Sequence, residues 1–191
     1  MRGVVSKRSG RRALLALVSA LFVFVPRIHA SSGRDGAARE AELKAAYIVN
    51  IARFVEWPAE MFGSPDAPVV IRIVEAREFP PQTLEALSRQ QVKGRRIEVR
   101  DFEASGDGPC HIVYCNSAKP GVLRSVLDAF ADKPVVTIGD EPGFTDLGGM
   151  VMFFRQGAKL RLEVNLVAKR RAGVGVSSQL LQVSRVVEVG S

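Results

Sequence analysis

The strongest constraint in this sequence is a recurring unit, a short apolar run followed by a stretch with helical spacing. Val69-Val70-Ile71-Arg72-Ile73-Val74 is the clearest run. Its β-branched side chains are stiff at χ1 and fit a pleated surface, so it reads as a strand. Pro80-Pro81 and Thr83 then open a helix with Leu84 and Leu87 on its inner face. Lys93-Gly94-Arg95 turns the chain into Arg96–Arg100, an alternating strand with one buried face. Cys110–Cys115 reads as the next strand, Pro120-Gly121 opens a helix carrying Leu123, Val126, Leu127 and Phe130, and Val135–Gly139 follows as another apolar strand. Ahead of all these, from Ala38, Leu43, Tyr47, Ile51 and Phe54 recur at helical spacing. Trp57-Pro58 ends that helix, because proline disfavours helical geometry in the residue before it.

Strands alternating with helices predict a largely parallel sheet covered on both sides. The last third departs from this rhythm. Met150–Arg155 and Lys159–Asn165 flank the short turn Gln156-Gly157-Ala158, which predicts a hairpin and makes the sheet mixed. Ser177 or Ser178 caps a final helix with Leu180, Leu181 and Val183. The expected fold is a single α/β domain: a mostly parallel mixed sheet flanked by helices, with a C-terminal hairpin.

The N-terminus obeys different rules. Arg2, Lys7, Arg8, Arg11 and Arg12 precede an uncharged run from Ala13 to Val25, then Pro26 and the small residue Ala30. A basic start, an apolar middle and a small residue at the cut site are the parts of a secretory signal peptide. The run falls short of the roughly 20 residues of a spanning helix. Residues 1–30 are therefore expected to be a cleaved leader, 31–37 a flexible linker and 38–191 the folded domain. No later stretch is apolar enough to span a bilayer, so the mature chain is expected to be exported and soluble.

Removing the leader changes the charge. The chain carries 27 basic and 20 acidic residues, a net +7; the leader holds six of the basic ones and no acid, which leaves 21 against 20. The basic pI of about 9.9 thus belongs mostly to the export signal, and it gives no support to a nucleic-acid partner.

Candidate chemistry is sparse. His111 is the one histidine after the leader, and it sits between Cys110 and Ile112. On one strand Cys110, His111 and Cys115 point in differing directions, so they do not converge on a metal, and no zinc site is expected. Five residues of strand span roughly 16 Å, whereas a disulfide needs Cα atoms within about 7 Å. The odd spacing also turns the two thiols to opposite faces. They are free, or one pairs between chains. Gly173-Val174-Gly175-Val176-Ser177 follows Lys169-Arg170-Arg171 and precedes a helix, so Gly173, Gly175 and Ser177 are an anion-binding candidate. A turn with a serine cap explains the same residues. Asp140 to Gly149 follows an apolar strand, where open α/β sheets place their crevices. Asp140, Glu141 and Asp146 could act as acid or base there, but no nucleophile or complementary base accompanies them, and no cofactor motif is present. Trp57, with Phe54 and Phe62, is either a core cap or an interface anchor.

Taken together, several segments resemble the YfiR family. They are Lys44–Pro58, Cys110–Tyr114, Val136–Asp140 with Phe144, Gly148–Val151, Leu162–Leu166, Ala172-Gly173 and Ser177–Leu181. The resemblance runs in order from about Leu43 to Val187. It implies a non-catalytic periplasmic α/β protein, often a homodimer, that binds the periplasmic sensor region of a membrane diguanylate cyclase and holds it inactive. Under that expectation Phe54, Trp57, Phe62, Asp140, Phe144, Glu163 and Asn165 are the candidate partner surface. Glu163 and Asn165 share a strand face with Arg161, so a buried polar contact is the alternative for them. Family members can pair the cysteine at the Cys110 position with one in the earlier strand. Val69–Val74 has no cysteine, which removes that partner for redox control at Cys110. A small-ligand sensor or carrier, using the crevice near Gly139–Gly149 or the Gly173–Ser178 turn, is the second reading.

Overall fold

The computed structural model describes residues 33–76, 79–102, 108–115 and 119–190. The leader expected over 1–30 lies outside these residues. The first helix, α1 (Gly33–Phe54), begins upstream of Ala38, so residues 33–37 of the expected linker are helical instead. Asp35 in the first turn complements the helix dipole, and Ala37-Ala38 are the best helix formers.

The inner face of α1 also differs from the stripe read by spacing. Ala41, Ala45, Ile48, Val49, Ile51 and Ala52 are buried, Tyr47 and Phe54 are half-buried, and Leu43 is 45% exposed. Three alanines on the inner face let the helix axis approach the sheet closely, which rotates the longer side chains outward.

Eight strands form the main sheet, in the order β10-β8-β7-β6-β5-β2-β4-β3. They are β2 (Val69–Val74), β3 (Gln91–Val92), β4 (Arg95–Asp101), β5 (Ile112–Cys115), β6 (Val136–Gly139), β7 (Val151–Gln156), β8 (Lys159–Asn165) and β10 (Arg185–Val187). β4, β2, β5, β6 and β7 are mutually parallel. β7 and β8 make the expected antiparallel hairpin, and β10 joins β8 in parallel. The mostly parallel mixed sheet is thus as the alternation predicts. A separate ladder pairs β1 (Val55–Glu56) with β9 (Gly175–Val176) and ties the end of α1 to the C-terminal segment.

Both faces of the sheet are covered. Alternate strand residues, such as Ile71, Ile73, Ile112, Tyr114, Val136 and Ile138, meet α1 and α2 (Pro81–Ser88), along with α4 (Leu166–Ala172) and α5 (Ser178–Gln182). The opposite set, including Val113, Cys115 and Met152, meets α3 (Pro120–Phe130) through Leu123, Val126, Leu127 and Phe130. Burying each of those four side chains stabilises the packing by about 2 kcal/mol. α1 runs against the direction of the parallel strands. Its early residues lie near the carboxyl ends, and its last turn lies near the amino ends.

Candidate functional site

Two constructions stand at opposite ends of the sheet. At the amino ends, the chain leaving α1 wraps Trp57 and Phe62 around His111, which precedes β5. Phe62 stacks on the imidazole with centroids 4.5 Å apart, and Trp57 meets it edge-on at 5.6 Å. Trp57 Nε1 donates to the His111 carbonyl at 3.2 Å. The imidazole Nδ1 accepts the Val70 N–H at 3.0 Å, so the ring proton sits on Nε2. That Nε2 is buried, and the Met61 backbone is its one neighbour of use among the described residues, in a geometry short of a full hydrogen bond. Burial, and then the nearby Arg95 guanidinium, push His111 down to about 4, against a weaker upward pull from the Met61 backbone. The ring is therefore neutral at physiological pH. Arg95 lies 3.9 Å over the Phe62 ring and donates to the Ala67 carbonyl at 2.8 Å, pinning the outer side of this corner. Phe54, Trp57 and Phe62 are all half-buried, so they seal the core and also present aromatic edges outward.

At the carboxyl ends, the segment 140–149 folds back over the sheet around Phe144, which is fully buried. A Cβ on Gly139 would lie 2.4 Å from the Phe144 ring, and one on Gly149 would lie 2.1 Å from it. The two glycines are required because the ring occupies the space on both sides. Thr145 donates to Glu163, whose other oxygen pairs with Arg185. The Asn165 side chain donates to the Thr145 and Val189 carbonyls at 3.1 and 2.8 Å and caps α4 by accepting from Val167 N–H at 2.9 Å. Phe144, Glu163 and Asn165 are buried in the folded chain, and they fasten the segment and the C-terminal tail to the sheet. The buried polar contact is what the shared strand face of Glu163 and Asn165 reports.

Asp140 remains accessible at the mouth of this end. Its carboxylate is held by Lys44 and by Tyr114 Oη at 3.1 Å, and Lys44 also pairs with Glu40 at 3.3 Å. Glu40 in turn bonds Arg155, which holds its carboxyl below the usual range; burial opposes this and Lys44 adds to it. Burial alone would lower the Lys44 ammonium, but Asp140 and Glu40 offset that and raise it above its ordinary value. Beside these pairs lies a cleft of about 670 Å³, lined by Pro142, Asp146, Phe153, Leu160 and Arg185 among others. Of this network, only Glu40–Lys44 has a local signal, its i,i+4 spacing, which the sequence reading does not use. Lys44–Asp140 and Thr145–Glu163 join residues far apart in the chain and leave no local signal.

The remaining candidates are used within the fold. Gly173 ends α4 with φ +65°, Gly175 pairs with Glu56, and Ser177 Oγ accepts from Gln179 N–H while its own N–H bonds the Phe54 carbonyl. The Glu56 side chain borders Gly175, leaving no room there for a Cβ. Cys110 and Cys115 are free and buried, but they do not point to opposite faces. Both belong to the α3 side, because Cys110 lies before β5 and the chain bends at His111. Burial pushes both thiols up to about 12. Among the described residues, no group of three His, Cys, Asp or Glu side chains gathers to hold a metal.

The match to known families decides the wider assignment: the YfiR/HmsC-like family model covers residues 41–185. The chain belongs to the YfiR/HmsC-like family. The match begins at the first buried residue of α1 and ends in β10, so it takes in both constructions. YfiR/HmsC-like proteins are periplasmic regulators associated with membrane diguanylate cyclases. None of the described helices is long and apolar enough to cross a membrane.

Proposed function

We propose that this protein is an exported periplasmic regulator that binds the sensor region of a membrane diguanylate cyclase and holds it inactive, lowering cyclic-di-GMP output. The observation that carries this reading is the family match across both ends of the sheet. Repression of this type needs only a higher affinity for the inactive state of the partner. The half-buried Phe54, Trp57 and Phe62 supply an aromatic face with the character of an interface anchor. Co-purification of the tagged full chain with the membrane cyclases of the same genome tests the reading. A retained cyclase, and raised cyclic-di-GMP on deletion of the gene, are expected. Absence of both results would reject it.

A second reading is favoured by the cleft beside Asp140, whose volume and mixed charges suit a small polar ligand. Here the protein would be a periplasmic sensor or carrier. Thermal-shift screening with amino acids and nucleotides tests it, since a bound ligand raises the midpoint. No shift at millimolar concentrations would remove it.

A further inference from the structure

α1 and α2 pack side by side and leave an open groove of about 330 Å³ that no segment among the described residues fills. Its floor is apolar, formed by Ala45, Val49 and Leu87. Ala46 and Ala86 face each other as low walls, so an entering backbone can approach both helices closely. The α1 positions 42, 45, 46, 49, 50 and 53 and the α2 positions 82, 83, 86 and 87 follow helical spacing, and Gln90 continues the lining just past α2. The groove therefore runs parallel to both helices, for roughly three turns at about 1.5 Å per residue.

Two further observations describe what enters it. Glu42 lies toward one end of the groove and has no ion-pair partner among the described residues; Arg53 lies at the other end, bonded only to Asn50 on its own helix at 3.3 Å. Leu43, one turn before Ala46 on α1, is 45% exposed and extends the apolar surface beyond the rim.

We propose that this groove is the docking site for an amphipathic helix of the regulated partner. The inference rests on the function proposed above and names the surface it uses. α1 and α2 run in the same direction, because the end of α2 approaches the end of α1, where Lys93 donates to the Val55 carbonyl. A third helix packs best antiparallel to that pair, with its dipole opposed to theirs. Its first turn then faces Arg53 and its last turn faces Glu42. The matching occupant carries an acidic first turn, small or apolar residues in the middle, and a basic last turn.

Binding of the full-length chain to its co-purifying cyclase is the readout, with Ala46→Arg and Ala86→Arg as the central variants. Both residues are exposed, so unfolding is not expected, and an unchanged thermal midpoint verifies this. Each variant should weaken binding at least about tenfold, the effect of disrupting the centre of an interface. Glu42→Arg and Arg53→Glu should weaken it a few-fold, more at low salt than at high salt. Val183→Arg, at the far edge of the sheet, should bind as the unaltered chain does. If the unaltered chain binds and both alanine variants bind equally well, the groove is rejected while the regulatory reading stands. If the unaltered chain retains no cyclase, both fail. A doubled mass in light scattering that Ala46→Arg halves would assign the groove to a second copy of this chain and overturn the partner helix.

Discussion

The two ends of the sheet solve the same problem by opposite means. Each must cover polar groups where strands stop. At the amino ends, one imidazole is buried between aromatic rings and kept neutral, with a single hydrogen bond from Val70. At the carboxyl ends, charges are retained and paired, through Lys44–Asp140, Glu40–Arg155 and Glu163–Arg185, around a phenylalanine clasped by two glycines. The first solution depends on desolvation and the second on steric fit and charge pairing, so the two should fail under different perturbations.

The largest effect is expected where no relaxation is available. Gly149→Ala and Gly139→Ala each drive a Cβ into the Phe144 ring, and each should lower unfolding stability by about 3 kcal/mol in urea titrations. A loss below half of that would show that the clasp can loosen.

Acid should expose the amino-end construction. The folded His111 value, about 4, lies below its ordinary 6.5, so between those values the unfolded chain binds the extra proton and stability falls as pH drops. The loss approaches roughly 3 kcal/mol at pH 4, since each tenfold difference in proton affinity between the folded and unfolded chains is worth about 1.4 kcal/mol. His111→Leu should remove this slope. It should also cost about 2 kcal/mol at pH 7, because the Val70 N–H is left unpaired in the core. A slope that survives the substitution would place the titrating group elsewhere.

The carboxyl end should respond on both sides of neutrality. Glu40 is held below its ordinary 4.5, so its contribution is present above that value and is lost as pH falls further. Lys44 is held above 10.5, so its contribution is intact below that value and is lost as pH rises through the folded value. Lys44→Met should cost about 1 kcal/mol at pH 7 and flatten the alkaline limb of a pH–stability curve. The smallest effect concerns the thiols: with both pushed to about 12, neither Cys110 nor Cys115 should react with a thiol reagent at pH 8 until the chain is unfolded.

Much of the architecture was legible because local patterns carry it. Val69–Val74 is a strand with the bounds read from its β-branched run, and the four apolar residues of α3 are the four it buries. The errors came from information that is not local. Leu43 looked like an inner-face residue, yet alanines took that place because the helix sits so close to the sheet. Cys110 looked like part of β5, but the bend at His111 resets the alternation before the strand begins. Phe144 gave no sign of burial within its polar loop, and only the backbone shape shows that Gly139 and Gly149 admit its ring. β10 escaped notice because three residues on an edge carry too little pattern.

The second half of α1 is held at two points, one at its middle and one just past its last turn. Lys44 anchors it to Asp140 at one end of the sheet, and just past its last turn Trp57 anchors the chain to His111 at the other. The helix between them acts as a ruler. Adding or deleting one residue there would turn one anchor by about 100° around the axis and shift it by about 1.5 Å, so both could not engage at once. Only changes close to whole turns would preserve the facing, and even those would overrun strands whose length is fixed. The segment from Lys44 to Trp57 should therefore tolerate substitution on its outer face far better than any change in its length.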